Sequence, residues 1–191
     1  MKKRMKKLVG MLAMMAVFAT AVPHIAEAKT VTTTSEGVAD FGFPGDLEMT
    51  IHGNEGQELK GKEFNLYCLL YVDNAEGGES VNYRINKTFE DAMQTVVGKK
   101  LSKTPGKVTE YEIIDYIQSL NENQVEGSQT PQTEEGRYSD YRYFVEELRD
   151  EIVKEKVSGD TVKVTGTTKD NSIEVTGLRN GYYLIDETSE V

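Results

Sequence analysis

Leu178-Arg179-Asn180-Gly181-Tyr182-Tyr183-Leu184-Ile185-Asp186-Glu187-Thr188 is the stretch that decides how the rest of the chain is read. An Asn-Gly turn leads into alternating apolar residues closed by an acidic Glu-Thr, which is the pattern of an inner strand of a β-sandwich. An inner strand needs hydrogen-bonding partners. Val191 follows three residues after Thr188, so either an earlier strand pairs with this one or the sheet is incomplete at the C-terminus.

Upstream of this strand the period is also two. Val162 and Val164, a turn through Gly166 to Asn171, and Ile173 with Val175 predict two further short strands. Near the other end, Asp46 to His52 puts Leu47, Met49 and Ile51 on one face, and Gly53-Asn54-Glu55-Gly56 forms a turn. Glu63 to Val72 is apolar on both faces and is expected at the centre of a sheet. Val81 to Ile85 alternates as a further strand. The acidic loop Asp73 to Glu79 lacks the ligand spacing of a calcium loop and reads as solvated.

Between these strand groups the period lengthens. Phe89, Ala92, Met93 and Val96 make a helical stripe with Gly98 as its expected C-terminal cap. A second helix opens on the capping-box pair Thr109 and Glu112 and carries Ile113, Ile117 and Leu120. A third starts at Ser139, with Tyr141, Phe144, Val145, Leu148 and Ile152 inward and Glu146, Glu147, Asp150 and Glu151 solvated. Asn121 to Arg137, nearly devoid of apolar residues, is expected to be a mobile surface loop. Strands, helices and strands in this order predict an α+β fold, a helical excursion inserted in an antiparallel sheet.

The N-terminus points to export. Lys2, Lys3, Arg4, Lys6 and Lys7 precede an apolar run from Leu8 to Val22, and Ala26-Glu27-Ala28 offers small residues where a signal peptidase reads. The expected organisation is a signal peptide over 1–28 cleaved after Ala28, a flexible leader over 29–45 rich in Thr and Gly, and one domain over 46–191. Residues 1–28 hold five of the 22 basic and one of the 32 acidic side chains, so the processed chain carries 17 and 31, a formal charge of −14. So acidic a surface repels phosphate backbones and anionic membranes, which argues against nucleic acid or a membrane as partner of the mature form. Cys68 is the lone cysteine and excludes an internal disulfide. It lies in the apolar run Phe64 to Val72 and reads as a buried small hydrophobe, with His52 the only histidine of the processed chain.

These segments in this order resemble the N-terminal domain of Gram-positive sortase-assembled pilins. The resemblance rests on the strand ending Met49-Thr50-Ile51-His52, on Gly61-Lys62-Glu63-Phe64-Asn65-Leu66-Tyr67, and on Val175-Thr176-Gly177-Leu178-Arg179-Asn180-Gly181-Tyr182-Tyr183-Leu184. It implies an antiparallel Ig-like β-sandwich with the helical excursion inserted. It also implies a structural subunit of a cell-surface or cell-wall fibre, with other pilin subunits and sortase as partners, polymerised through a Lys in a pilin motif and anchored by an LPXTG-type signal. Neither a Tyr-Pro-Lys-Asn sequence nor such a signal occurs in these 191 residues. In that family both lie downstream of the position that Val191 would take. A further implication is an internal Lys–Asn isopeptide bond promoted by a buried acid. Glu187 stands at the acid's place, whereas His52 is followed by Gly53 where the Lys is expected, and the Asn-bearing strand would lie beyond Val191.

Two other functions draw on parts of the sequence. The ten tyrosines, with Tyr138, Tyr141 and Tyr143 clustered, fit a secreted adhesin domain that binds a host surface protein or glycan. A cell-surface hydrolase has only scattered carboxylates in its favour, with no Trp, no Gly-x-Ser-x-Gly and no pair singled out for glycoside chemistry. The expectation is therefore a non-enzyme with no catalytic, metal or cofactor-binding residues.

Overall fold

The structure, a computed structural model, describes residues 7–8, 13–15, 28–45, 47–72, 82–122, 140–166 and 168–188. The loop at 73–79, the cap position Ser139 and residues 123–137 of the expected loop lie outside them. Among the described residues the fold is mixed α+β, with two sheets and three α-helices. The chain divides into two compact units, Met1–Tyr83 with Ser158–Val191, and Arg84–Val157. The helical excursion falls in the second of these units.

The first unit carries the sheets. In chain order the strands are β1 (Lys7–Leu8), β2 (Ala13–Met15), β3 (Thr30–Thr32), β4 (Val38–Asp40), β5 (Leu47–His52) and β6 (Glu63–Val72). After β7 (Tyr83–Ile85), which runs across the unit boundary, come β8 (Asp160–Lys163), β9 (Ser172–Leu178) and β10 (Gly181–Glu187). One sheet runs β1-β5-β9-β4 and the other β2-β10-β6-β8-β3. Leu47, Met49 and Ile51 of β5 are buried as their alternation requires, and β6 sits between β10 and β8 with most of both faces buried. Side chains of both sheets, among them Phe64, Leu66, Val162, Ile173, Val175 and Tyr183, meet in one hydrophobic core.

The pairing is not uniformly antiparallel. β1–β5, β3–β8 and β4–β9 are parallel. The last two place strands in the 29–45 stretch that was expected as a flexible leader. Each is only three residues long, too short to show a period, and each pairs with a strand more than a hundred residues away. No tight turn forces such a pair to run antiparallel.

The Asn180-Gly181 turn does not close a hairpin, because β9 belongs to one sheet and β10 to the other. Gly181 is required for a different reason. A Cβ there would stand 1.9 Å from the Leu70 carbonyl oxygen across the β6–β10 ladder. Two residues on, the register shifts: Tyr182 faces Leu70 but Tyr183 faces Cys68. Consecutive strand residues point to opposite faces, and both tyrosines are buried, Tyr182 edge-on to Tyr83 and Tyr183 in the core.

The second unit holds α1 (Glu90–Leu101), α2 (Glu110–Glu122) and α3 (Asp140–Lys154). Gly98 lies inside α1, not at its end; the left-handed cap is Ser102, with φ 55°. Gly98 is small because a Cβ would come within 2.9 Å of the Lys103 carbonyl oxygen. α3 buries Phe144, Val145, Leu148 and Ile152, and Phe144 meets Tyr116 of α2 edge to face.

The capping box of α2 forms as its sequence predicts. The Thr109 N–H donates to Glu112 Oε2 at 3.0 Å and the Glu112 N–H donates to Thr109 Oγ1 at 3.3 Å. Lys103 donates to the same carboxylate and, with the Thr109 N–H, holds its pKa down to about 2. A depressed carboxylate pKa stabilises the folded form above the ordinary glutamate range and loses that contribution as pH falls through the folded value. The start of α2 is therefore expected to fray between about pH 4 and pH 2, visible as early amide exchange near Thr109. Thr109→Ala is expected to cost about 1 kcal/mol at pH 7, read from the denaturant midpoint.

Candidate functional site

Glu187, the residue placed by resemblance at the position of an isopeptide-promoting acid, ends β10 directly across from Phe64. Its carboxylate is not a bare strand-end charge. Oε1 pairs with Lys62 Nζ at 2.7 Å, both side chains being one-fifth exposed, and Oε2 accepts from Gln57 Nε2 at 3.0 Å. Lys62 is delivered by the turn before β6, whose backbone is pinned when the Gly61 N–H donates to the Val164 carbonyl and the Val164 N–H to the Lys62 carbonyl. Gln57 is held by Asn171, whose Nδ2 donates to the Gln57 carbonyl at 2.6 Å while its Oδ1 accepts from the Leu59 N–H at 3.3 Å.

The same loop borders a cleft of about 540 Å³ lined by Gly56, Gln57, Glu58, Leu59, Lys60, Thr168 and Asn171. An amine, a carboxamide and a carboxylate thus converge on one face of the β-rich unit. In chemical terms this is the set of groups that an amide-exchange reaction uses. Here, however, they form an ion pair, whereas attack on an acid-polarised amide needs a neutral amine and a protonated acid. The arrangement cross-links the 53–62 segment to the end of β10.

No linear pattern could have found Lys62 and Gln57. Lys62 sits inside the quoted Gly61-Lys62-Glu63-Phe64 run, but its partner is 125 residues further along the chain. His52 ends β5 half-buried, register partner of Ser172. Of the three tyrosines grouped at the start of the third helix, Tyr143 is exposed, and the side chains of Tyr138 and Tyr141 lie outside the described residues. Among the described residues no group of three or more His, Cys, Asp or Glu side chains could hold a metal ion, and no helix is long and apolar enough to cross a membrane.

Cys68 is buried on β6, its Sγ 3.5 Å from the Leu70 carbonyl oxygen. Burial pushes the thiol up to about 11, with its contact to the Tyr183 hydroxyl acting the other way. Burial likewise raises the Tyr183 hydroxyl, which donates to the Arg179 carbonyl at 2.9 Å. On the order of one thiol in a thousand is then ionised at pH 8, so the folded chain is expected to resist thiol reagents that label it at once in denaturant. Stoichiometric labelling of native protein within minutes would contradict this burial.

No protein-family model matches the chain, and no curated protein matches it in sequence.

Proposed function

We propose that this chain is a structural subunit of a cell-surface fibre, exported by its N-terminal segment and built on an Ig-like sandwich. The observation that carries the reading is the position of β10. One side of β10 is paired with β6, and the other with Ala13–Met15, part of the segment read as a signal peptide. Cleavage of that segment would open this edge of β10, now held by Ala13–Met15, to an antiparallel strand from another chain. Support also comes from the two motifs of the pilin resemblance, Gly61–Tyr67 and Gly177–Leu184, whose strands β6 and β10 are neighbours in one ladder.

The test uses the cells that make the protein. Antiserum raised against residues 29–191 is expected to reveal a ladder of SDS-resistant high-mass bands in cell-wall extracts and to decorate fibres at the surface. A single band of monomer mass, confined to the medium, would overturn the proposal.

The polar cleft between Gly56 and Asn171 favours one alternative, a secreted adhesin that binds a host surface protein or glycan. Under that reading glycan or host-matrix binding would be lost on filling the cleft with Thr168→Trp, while wall extracts would show no ladder.

A further inference from the structure

Residue Lys29, the first after the proposed cleavage, occupies an unusual place. Its backbone N–H donates to Asp160 Oδ1 at 2.9 Å, and its carbonyl accepts from the Thr161 N–H at 2.8 Å. From there Thr30 to Thr32 runs parallel to Thr161 to Lys163, so Lys29 is the point where the edge strand β3 is fastened to β8. The Lys29 ammonium group donates to the Phe41 carbonyl and lies 5.5 Å from the Phe43 ring centre, while the Arg179 guanidinium covers that ring at 4.4 Å. Asp160 is thus a half-buried carboxylate whose main-chain partner is the nitrogen that processing would free.

We propose that cleavage after Ala28 converts the Lys29 N–H···Asp160 hydrogen bond into an ammonium–carboxylate ion pair that locks β3 onto β8. The inference rests on the reading of 1–28 as a signal peptide. Hydrolysis adds water across the Ala28–Lys29 peptide bond; Ala28 leaves as a carboxylate and the new α-amine takes up a proton at neutral pH. The nitrogen is already 2.9 Å from Oδ1, so the positive charge arises in contact with its partner and no rearrangement is needed.

The surrounding charges agree with this use. Burial raises Asp160 above the ordinary aspartate value, while the Lys29 N–H, Arg179 and the Lys29 side chain pull it down without cancelling the effect. From β6 and β10, Cys68 and Tyr183 feel the Asp160 charge, and both are neutral at pH 7. In the unprocessed chain the carboxylate is therefore undercompensated, and the α-ammonium supplies the missing charge. A terminal strand that would ordinarily fray is pinned by the act that makes it terminal.

The experiment compares the exported chain beginning at Lys29 with the same chain retaining Ala28, each with Asp160 and with Asp160→Asn. The first readout is the α-amino pKa, followed by NMR after isotopic methylation. A free terminus titrates near 8. The Lys29 terminus is expected about one unit higher, returning to about 8 in D160N, with no such shift when Ala28 is retained. The second readout is stability. At pH 7 the Lys29 form is expected to have an unfolding constant about tenfold smaller than the Ala28 form, the equivalent of that one-unit shift. Because the amine pKa is raised on folding, that advantage is full below about pH 8 and disappears as pH rises through the folded value. An unshifted Lys29 terminus in the folded chain, or a shift that survives D160N, overturns the lock. N-terminal sequencing of the exported protein tests the cleavage reading separately: a start other than Lys29 refutes that reading whatever the titration shows.

Discussion

Gly181→Ala is expected to be the most damaging single-methyl change in the β-rich unit. The added Cβ would lie 1.9 Å from the Leu70 carbonyl oxygen and 3.1 Å from the Tyr71 Cα, in a ladder where the two strands cannot separate without breaking the hydrogen bonds between them. Overpacking a well-filled core costs about 1–3 kcal/mol. A clash with backbone rather than a flexible side chain belongs at or beyond the top of that range, so a loss of about 3 kcal/mol or more is expected, a large part of the stability of a typical domain. Gly42→Ala is the control. It sits at φ 61° with open space around its Cβ, so only the left-handed backbone penalty of about 1–2 kcal/mol applies. Urea midpoints of the two variants check the prediction; equal losses would mean that the Gly181 approach is looser than described.

Phe64→Ala should rival it by the opposite mechanism. Phe64 is fully buried on β6, across from Glu187 on one neighbour and Val162 on the other, and belongs to the core shared by the two sheets. Removing a buried aromatic side chain costs about 3–5 kcal/mol, the lost transfer energy plus the cavity left behind. Phe64→Leu keeps most of the volume and is expected to cost less than about 1.5 kcal/mol. The ratio between the two separates cavity formation from any special demand for an aromatic ring, and a Leu variant as unstable as the Ala variant would count against the cavity account.

Much of this fold can be read locally. The alternation of Leu47, Met49 and Ile51, the two-faced apolar run of β6 and the reciprocal Thr109–Glu112 cap each depend on residues a few positions apart, and the structure reproduces them. Misreadings arise where distant backbone decides. Gly98 and Gly181 read as cap and turn glycines, yet both are small because a carbonyl from elsewhere approaches them. The strands at 30–32 and 38–40 acquire their conformation from β8 and β9, not from any period of their own. The Lys62–Glu187–Gln57 contact is of the same kind, since nothing near Glu187 in the sequence announces a lysine 125 residues earlier.

The bulge at Leu69 bears on how β6 and β10 find each other during folding. A regular two-residue alternation tolerates a slip by two positions, since every side chain keeps its face. The irregularity acts as a detent. Tyr182 faces Leu70 and Tyr183 faces Cys68 only when the extra residue is Leu69, and a slipped ladder would have to carry Gly181 off the position where the Leu70 carbonyl approaches it. Tyrosine pair, bulge and glycine together leave this ladder a single alignment in which it can close.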